Sequence, residues 1–314
     1  MSSKSISVIM SVYNEKKEWL KDAIDSILNQ TYRDFEYIII MDNPSNIELI
    51  NFLNDYQKKD SRIKVYINEV NKGLVYSLNR ALKLSNGDFI ARMDADDYSY
   101  PTRFEKQVEY LNENKDISLC ATGVVIMNEF GEELYRSNIY GTSSSKAEKS
   151  LLYRNVFPHG SWMFRREILD VINQYNDVNQ AEDYDLLFRL ISRMKKISVI
   201  DEYLFKYRLR ENGISFNNLF KQKVTMLCIS KAYLKSKKNN SIYNTPKNIN
   251  NIEIDDDTVE KYNKYQMLYT KGIKKFRSKN VTSGLKDVVT SVVNCKYKRN
   301  ELKAVFILKI IDKL

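Results

Sequence analysis

Phe-Ile-Ala-Arg-Met-Asp-Ala-Asp-Asp (89–97) joins a short apolar run to three carboxylates at one point. Phe89 to Met93 reads as a buried strand entered through Asn86-Gly87, and Asp94, Asp96 and Asp97 follow where it leaves the sheet. Ligands of open α/β sheets gather at the carboxyl ends of the strands. Carboxylates crowded there repel one another and lose hydration unless a cation or hydrogen-bond donors compensate, so a hard divalent metal carrying phosphate oxygens is their natural occupant. Asp94-Ala95-Asp96 therefore points to a metal and a diphosphate. An acidic turn capping a helix that begins near Pro101 uses the same letters, because Asp is a favoured N-cap.

Three βα units precede this strand. Ile6 to Val12 is β-branched and apolar and ends in Tyr13-Asn14-Glu15, after which Trp19, Leu20, Ala23, Ile24, Ile27 and Leu28 recur at helical spacing. Tyr37 to Met41 is a second buried strand, followed by Asp42-Asn43-Pro44-Ser45 and a helical pattern through Leu53. Ile63 to Ile67 is a third, closed by Asn71-Lys72-Gly73 before a helix carrying Leu74, Leu78, Ala81 and Leu82. Strands apolar on both faces and alternating with helices predict an α/β fold with a mainly parallel twisted sheet covered on both sides.

Six segments in order carry a resemblance. They are Val-Ile-Met-Ser-Val-Tyr-Asn-Glu (8–15), Leu-Asn-Gln-Thr-Tyr (28–32), Tyr-Ile-Ile-Ile-Met-Asp-Asn-Pro-Ser (37–45), Asn-Lys-Gly-Leu (71–74), Ala-Arg-Met-Asp-Ala-Asp-Asp (91–97) and Ala-Glu-Asp-Tyr-Asp-Leu (181–186). Over roughly residues 5–215 the chain resembles the family 2 glycosyltransferases, inverting enzymes of the GT-A fold that use nucleotide-sugar donors, here of the bacterial surface-polysaccharide type. The resemblance implies transfer of a hexose or N-acetylhexosamine from a UDP-sugar to a glycan or lipid-linked glycan acceptor, with Mn²⁺ or Mg²⁺ as cofactor. It implies nucleoside contacts at Ser11, Tyr13 and Glu15, and at Asp42 and Asn43. Such enzymes usually show Asp-Asp at the last pair, the second carboxylate accepting from uracil N3–H. Asn43 departs from that pattern: its carbonyl oxygen still accepts, but its amide also donates. Lys72 is the matching cation for the diphosphate, Asp94, Ala95 and Asp96 the ribose and metal positions, with Asp96 the direct metal ligand.

Inversion needs a base that deprotonates the acceptor hydroxyl as it attacks opposite the leaving diphosphate. Asp183 matches the family's base, with Glu182 and Asp185 as fallbacks, and the helix that follows is expected to depress its pKa through the dipole. Plain capping of that helix by Asp183 or Asp185 is the alternative. Phe157 to Arg166 contains the only histidine, His159, and Trp162; the resemblance implies acceptor or metal contacts here, with Glu182 a further acceptor candidate, and an indole face packs well on a sugar ring, but a lone His beside a Pro-Gly turn is more often a satisfied structural residue. Arg92 and Arg103 either join the site or pair with local carboxylates. A nucleotidyltransferase is disfavoured because Ser11-Val-Tyr-Asn-Glu15 lacks the glycine-rich phosphate loop. A catalytically idle sugar-nucleotide-binding scaffold is the other alternative, and Asp96 and Asp183 argue against it.

Cys120, Cys228 and Cys295 are too widely spaced for a disulfide framework or zinc site, which predicts a reducing compartment. With no apolar leader and no stretch of transmembrane length, the expectation is a cytoplasmic protein. The formal charge of +10 is uneven: residues 219–314 hold 21 Lys and Arg against 8 Asp and Glu. The chain is expected to divide into a catalytic domain, 1–218, and a basic helical region, 219–314. Helices are predicted over 219–234, 259–276 and 285–293, with a linker at about 235–250. In the final segment, 296–314, apolar residues surround nearly the whole helical axis. Two readings of this region stay open: association with an anionic membrane surface on the inner face of the plasma membrane, or packing on the catalytic domain or in a homo-oligomer. Nucleic acid is not an expected partner, since Tyr262, Tyr265, Tyr269 and Phe276 follow a helix core face.

Overall fold

The computed structural model describes residues 5–178, 180–210, 216–277 and 280–313. The four apolar runs form β1 (Ile6–Val12), β2 (Phe35–Met41), β3 (Ile63–Ile67) and β4 (Phe89–Arg92), parallel in the order β3-β2-β1-β4. Helices α1 (Lys17–Leu28), α2 (Ile47–Lys59) and α3 (Leu74–Leu84) make the crossovers. Both strand faces are buried, each in its own layer. Ile9, Ile38, Ile40 and Ile90 enter one core, whereas Val8, Met10, Ile39, Met41 and Ala91 enter the other. This two-residue alternation explains why β1, β2 and β4 read as mostly apolar runs, whereas the edge strand β3 carries Lys64 and a partly exposed face.

The chain continues through β5 (Tyr98–Ser99), α4 (Arg103–Glu113), β6 (Ile117–Met127), β7 (Glu133–Arg136), α5 (Ser144–Leu151), β8 (Met163–Arg165), α6 (Leu169–Ile172), α7 (Glu182–Ser192) and β9 (Lys196–Arg208). β8 inserts antiparallel between β4 and β6, β9 runs parallel to β6, and β5 and β7 pair at the margins. The carboxyl ends of β1, β2 and β4 thus share one rim. The acidic turn does not cap α4: its N-cap position is Thr102, with no side-chain cap bond, and Asp97 instead accepts from the Arg208 N–H at 2.8 Å.

Beyond β9 come α8 (Phe216–Lys238), α9 (Asp256–Arg277), α10 (Val281–Asn294) and α11 (Lys296–Lys313). The expected division at 218/219 falls inside α8, and residues 211–215, where the resemblance was expected to end, lie outside the described residues. Ile229, Tyr233, Tyr243 and Ile249 complete the same core that holds Leu187 and Phe188 of α7. The segment expected as a linker is therefore anchored: Tyr243 and Thr245 donate their hydroxyls to fully buried Asp185, at 2.8 and 2.7 Å. A separate small cluster of Phe220, Tyr262 and Cys295 holds the last helices. Among the described residues, no helix is long and apolar enough to cross a membrane.

Candidate active site

Two pinned turns shape the rim. Asp42 ends β2 almost fully buried and accepts from the Lys72 and Gly73 N–H groups and from Asn68 Nδ2, at 2.9, 2.7 and 2.6 Å. It thereby holds the turn that presents the exposed Lys72, and Gly73 meets the turn's φ of +82°, a conformation that disfavours side chains. Beside it Asn14 Oδ1 accepts from Asn43 Nδ2 at 2.7 Å and from Asn46 Nδ2 at 3.1 Å, while Asn43 Oδ1 accepts from the Ser45 N–H. Tyr13 is 44% exposed at the end of β1, next to half-buried Ser11, and its N–H donates to Glu15 at 2.7 Å.

The β4 carboxylates meet arginines. Asp94 pairs with the buried Arg92, and Asp96 accepts from Arg210 Nε at 2.6 Å. Arg210 also lies 3.7 Å from Glu15, so one guanidinium links the ends of β1 and β4. Asp97 is fully buried, its second oxygen has no partner, and burial followed by the neighbouring Asp96 charge raises its pKa well above the usual range. Ala95 is buried between them. Gly160 presses on this turn: a Cβ there would fall 2.5 Å from the Phe205 ring and 2.8 Å from Asp94 Oδ2. Arg103 locks the arrangement from below, donating to the carbonyls of Gly160 and Arg92 at 2.9 and 3.2 Å.

Among the described residues, no three His, Cys, Asp or Glu side chains form a metal-holding group. That donor set still fits Mn²⁺ or Mg²⁺, which bind through one or two carboxylates plus waters and substrate phosphates rather than in an all-protein cage. A negative patch that already draws a guanidinium, beside an orphaned buried carboxylate oxygen, is consistent with it.

Across the cleft, Glu182 and Asp183 open α7. The N-cap position is Ala181 with no side-chain cap bond, so neither carboxylate serves as the cap. Asp183 accepts from Asn155 Nδ2 at 2.8 Å and from the Tyr184 N–H at 2.7 Å. The expected depression of its pKa is overturned: burial pushes Asp183 up to about 6 and Glu182 up to about 7, the latter reinforced by the Asp183 charge. Desolvation outweighs the dipole because the first turn of α7 sits inside the cleft rather than in water. Asp185 is excluded as a fallback base, being fully buried and ion-paired with Arg189 at 2.8 Å.

His159 and Trp162 follow the structural alternative. Trp162 is fully buried and donates to the Phe157 carbonyl at 3.3 Å, leaving no ring face for a sugar. His159 stacks edge-on to that indole at 4.6 Å and its Nε2 lies 2.9 Å from the Tyr175 hydroxyl. Burial, with the Arg92 charge, pushes its pKa well below the usual value, so the ring is neutral. Arg92 unites the two rims: burial lowers its own pKa, and the charges of Tyr175, Asp97, Glu182 and Asp96 oppose that shift.

Asn155 and Arg210 escaped the sequence reading. Arg210 lies two residues beyond β9, its partner lies at Asp96, and no local pattern announces so distant a pair.

Glu182 and Asp183 titrate as a pair, with apparent values of about 6 and about 7. A reaction requiring ionised Asp183 gains rate through that window, and because Glu182 ionises after Asp183 and is largely neutral there, Glu182→Gln should leave the acid limb near its place. Stability moves oppositely. An unfolded carboxyl loses its proton near about pH 4, so between that point and about pH 7 the folded state holds the extra protons and the pair's contribution falls as pH rises. Melting curves of wild type and Glu182→Gln across this range should converge at its acid end and separate above it; a constant difference would remove the shift.

Residues 7–172 match the sequence model of glycosyl transferase family 2. The O-antigen biosynthesis glycosyltransferase WbnJ of Escherichia coli is 37% identical over 210 residues, 66% of this chain and 81% of that one. The fold is similar to that of S. aureus TarS residues 1–349 in complex with UDP, with a TM-score of 0.58 and 14% identity over 94% of this chain and 91% of that one. It is also similar to the Pyrobaculum calidifontis mannosyltransferase PcManGT in complex with GDP-Man and Mn²⁺, with a TM-score of 0.56 and 15% identity over 77% and 66% of the two chains. The sheet with its acidic rim is a GT-A fold, and by its sequence the chain belongs to glycosyltransferase family 2.

Proposed function

We propose that the chain is an inverting transferase moving a hexose or N-acetylhexosamine from a UDP-sugar to a hydroxyl of a lipid-linked glycan during surface-polysaccharide assembly. The observation that supports this reading is buried Arg92, ion-paired with Asp94 of the β4 turn and electrostatically linked to Glu182 and Asp183. The E. coli relative, named for O-antigen biosynthesis, supports the glycan context, and the neighbours bound to UDP or to GDP-Man with Mn²⁺ support a nucleotide-sugar donor.

In this reading Ser11, Tyr13, Glu15 and Asn43 line the nucleoside pocket, Asp42 holds the Lys72 turn towards the diphosphate, and Asp94 and Asp96 take the ribose and the metal. The metal, when bound, offsets charge on the leaving diphosphate. Asp183 takes the acceptor's O–H proton as that oxygen bonds to the anomeric carbon and the bond to the diphosphate oxygen breaks on the opposite face. A base of pKa about 6 is ionised near neutrality yet still basic enough to share the proton in the transition state. Asn155 aims the carboxylate, and burial raises its basicity.

A thermal-shift panel of UDP, GDP, CDP and dTDP, with and without Mn²⁺, tests the donor, because a ligand bound only to the native state raises the melting temperature. Metal-dependent stabilisation by UDP alone is the expected result. A preference for GDP would overturn the UDP assignment, and no response to any nucleotide would turn the reading to a scaffold.

A further inference from the structure

Helix α11 carries an apolar row ringed by cations on its outward face. Ala304, Leu308 and Ile311 turn inward and are buried, whereas Leu302, Phe306 and Ile310, four residues apart, are 36, 67 and 45% exposed. At 3.6 residues per turn, Lys303 and Lys309 flank Phe306 by about 60° on either side, and Arg299 and Lys313 extend the row at its ends. All four are exposed. Glu301 is held by Lys223 and Lys298, whereas at the Lys309 edge Phe306, Lys309, Ile310 and Lys313 border a groove also lined by Tyr203 and two acids, Asp201 and Asp312. The neighbouring exposed row on α10, Val281, Leu285, Val289 and Val293, has a single exposed lysine, Lys286, beside it.

We infer that this face of α11 docks on an anionic lipid surface. Phe306 and its row enter the headgroup boundary, while the lysines and Arg299 meet lipid phosphates with their aliphatic stems lying along the apolar surface. Charge complementarity selects this occupant. A second copy meeting the same face across a two-fold axis would bring the cations of both copies together, in excess over Asp201 and Asp312 at one edge, at a net like-charge cost. A nucleic acid backbone would satisfy the cations but leave the central apolar row without a partner.

The test uses the full chain and vesicles of phosphatidylcholine, alone or mixed with phosphatidylglycerol, at low and high salt, read by flotation. No donor or acceptor is present, so the result is independent of the sugar-transfer reading. Wild type is expected to float with the mixed vesicles and to be released by salt. Lys303→Glu and Lys309→Glu each weaken binding by at least about fivefold. Phe306→Ser with Ile310→Ser weakens it by about tenfold or more, with an unchanged melting temperature because both side chains are exposed. Absence of binding, or equal binding of wild type and variants, overturns the inference. So does a concentration-dependent dimer in sedimentation that the Phe306 and Ile310 substitutions abolish, which would assign the face to a second copy. Binding of duplex DNA in place of the mixed vesicles would overturn it as well.

Discussion

Asp183→Asn is expected to preserve donor binding and cut turnover by about 10²–10⁴-fold, the usual contribution of a positioned general base. The substitution keeps the Tyr184 N–H bond to an amide oxygen, but the Asn155 amide can turn to meet the new donor only by giving up the bond that it accepts from the Phe157 N–H. What disappears is a carboxylate that burial holds at a pKa of about 6. Single-turnover kinetics with saturating UDP-sugar, beside nucleotide-induced thermal shifts, separate chemistry from binding. Near-wild-type turnover would remove Asp183 from the role. Asp185→Asn supplies the contrast, since Asp185 touches no open cleft but anchors Arg189, Tyr243 and Thr245 in the core. Breaking that buried pair should cost about 3–5 kcal/mol of stability and lower the melting temperature. Activity of the folded fraction should change little.

Asp96→Ala is expected to abolish Mn²⁺-dependent stabilisation by nucleotide and to lower turnover by about a thousandfold or more, because neutralising a leaving diphosphate contributes several kcal/mol to the transition state. Arg210 makes the experiment more demanding. Its Nε donates to Asp96 at 2.6 Å, so this arginine already neutralises the carboxylate that would receive the metal. Removing Asp96 leaves Arg210 beside Glu15, and some metal-independent nucleotide affinity should persist through that cation. A melting series with UDP, run with and without Mn²⁺, reads the two contributions separately. If the metal-dependent increment survives in Asp96→Ala, the ligand assignment is wrong.

Much of the catalytic half was legible because its signals are short in range. β1 and β3 match the expected runs end to end, and β4 stops one residue before the expected Met93. A strand buried on both faces is mostly apolar, and polar residues gather at its ends. That constraint put Tyr13, Asn43 and the Asp94–Asp97 turn on one rim. The final segment was less legible: its apolar residues surround the axis, and a helical wheel cannot say which side meets protein. Packing divides them, Ala304, Leu308 and Ile311 inward and Leu302, Phe306 and Ile310 outward.

Sequence by itself determined the order of the βα units, the parallel sheet and the delivery of carboxylates to its carboxyl edge, because side-chain periodicity and turn residues act over a few neighbours. Tertiary structure alone decided the quantities that depend on surroundings. The indole of Trp162 has the chemistry of a sugar platform, but its site is in the core. Asp183 stands at a helix N-terminus that should acidify it, but desolvation prevails. Asp96 and Arg210, 114 residues apart, meet only when the last strand is laid across the sheet. Burial, charge pairing and pKa are properties of the assembled environment, whose members come from distant parts of the chain.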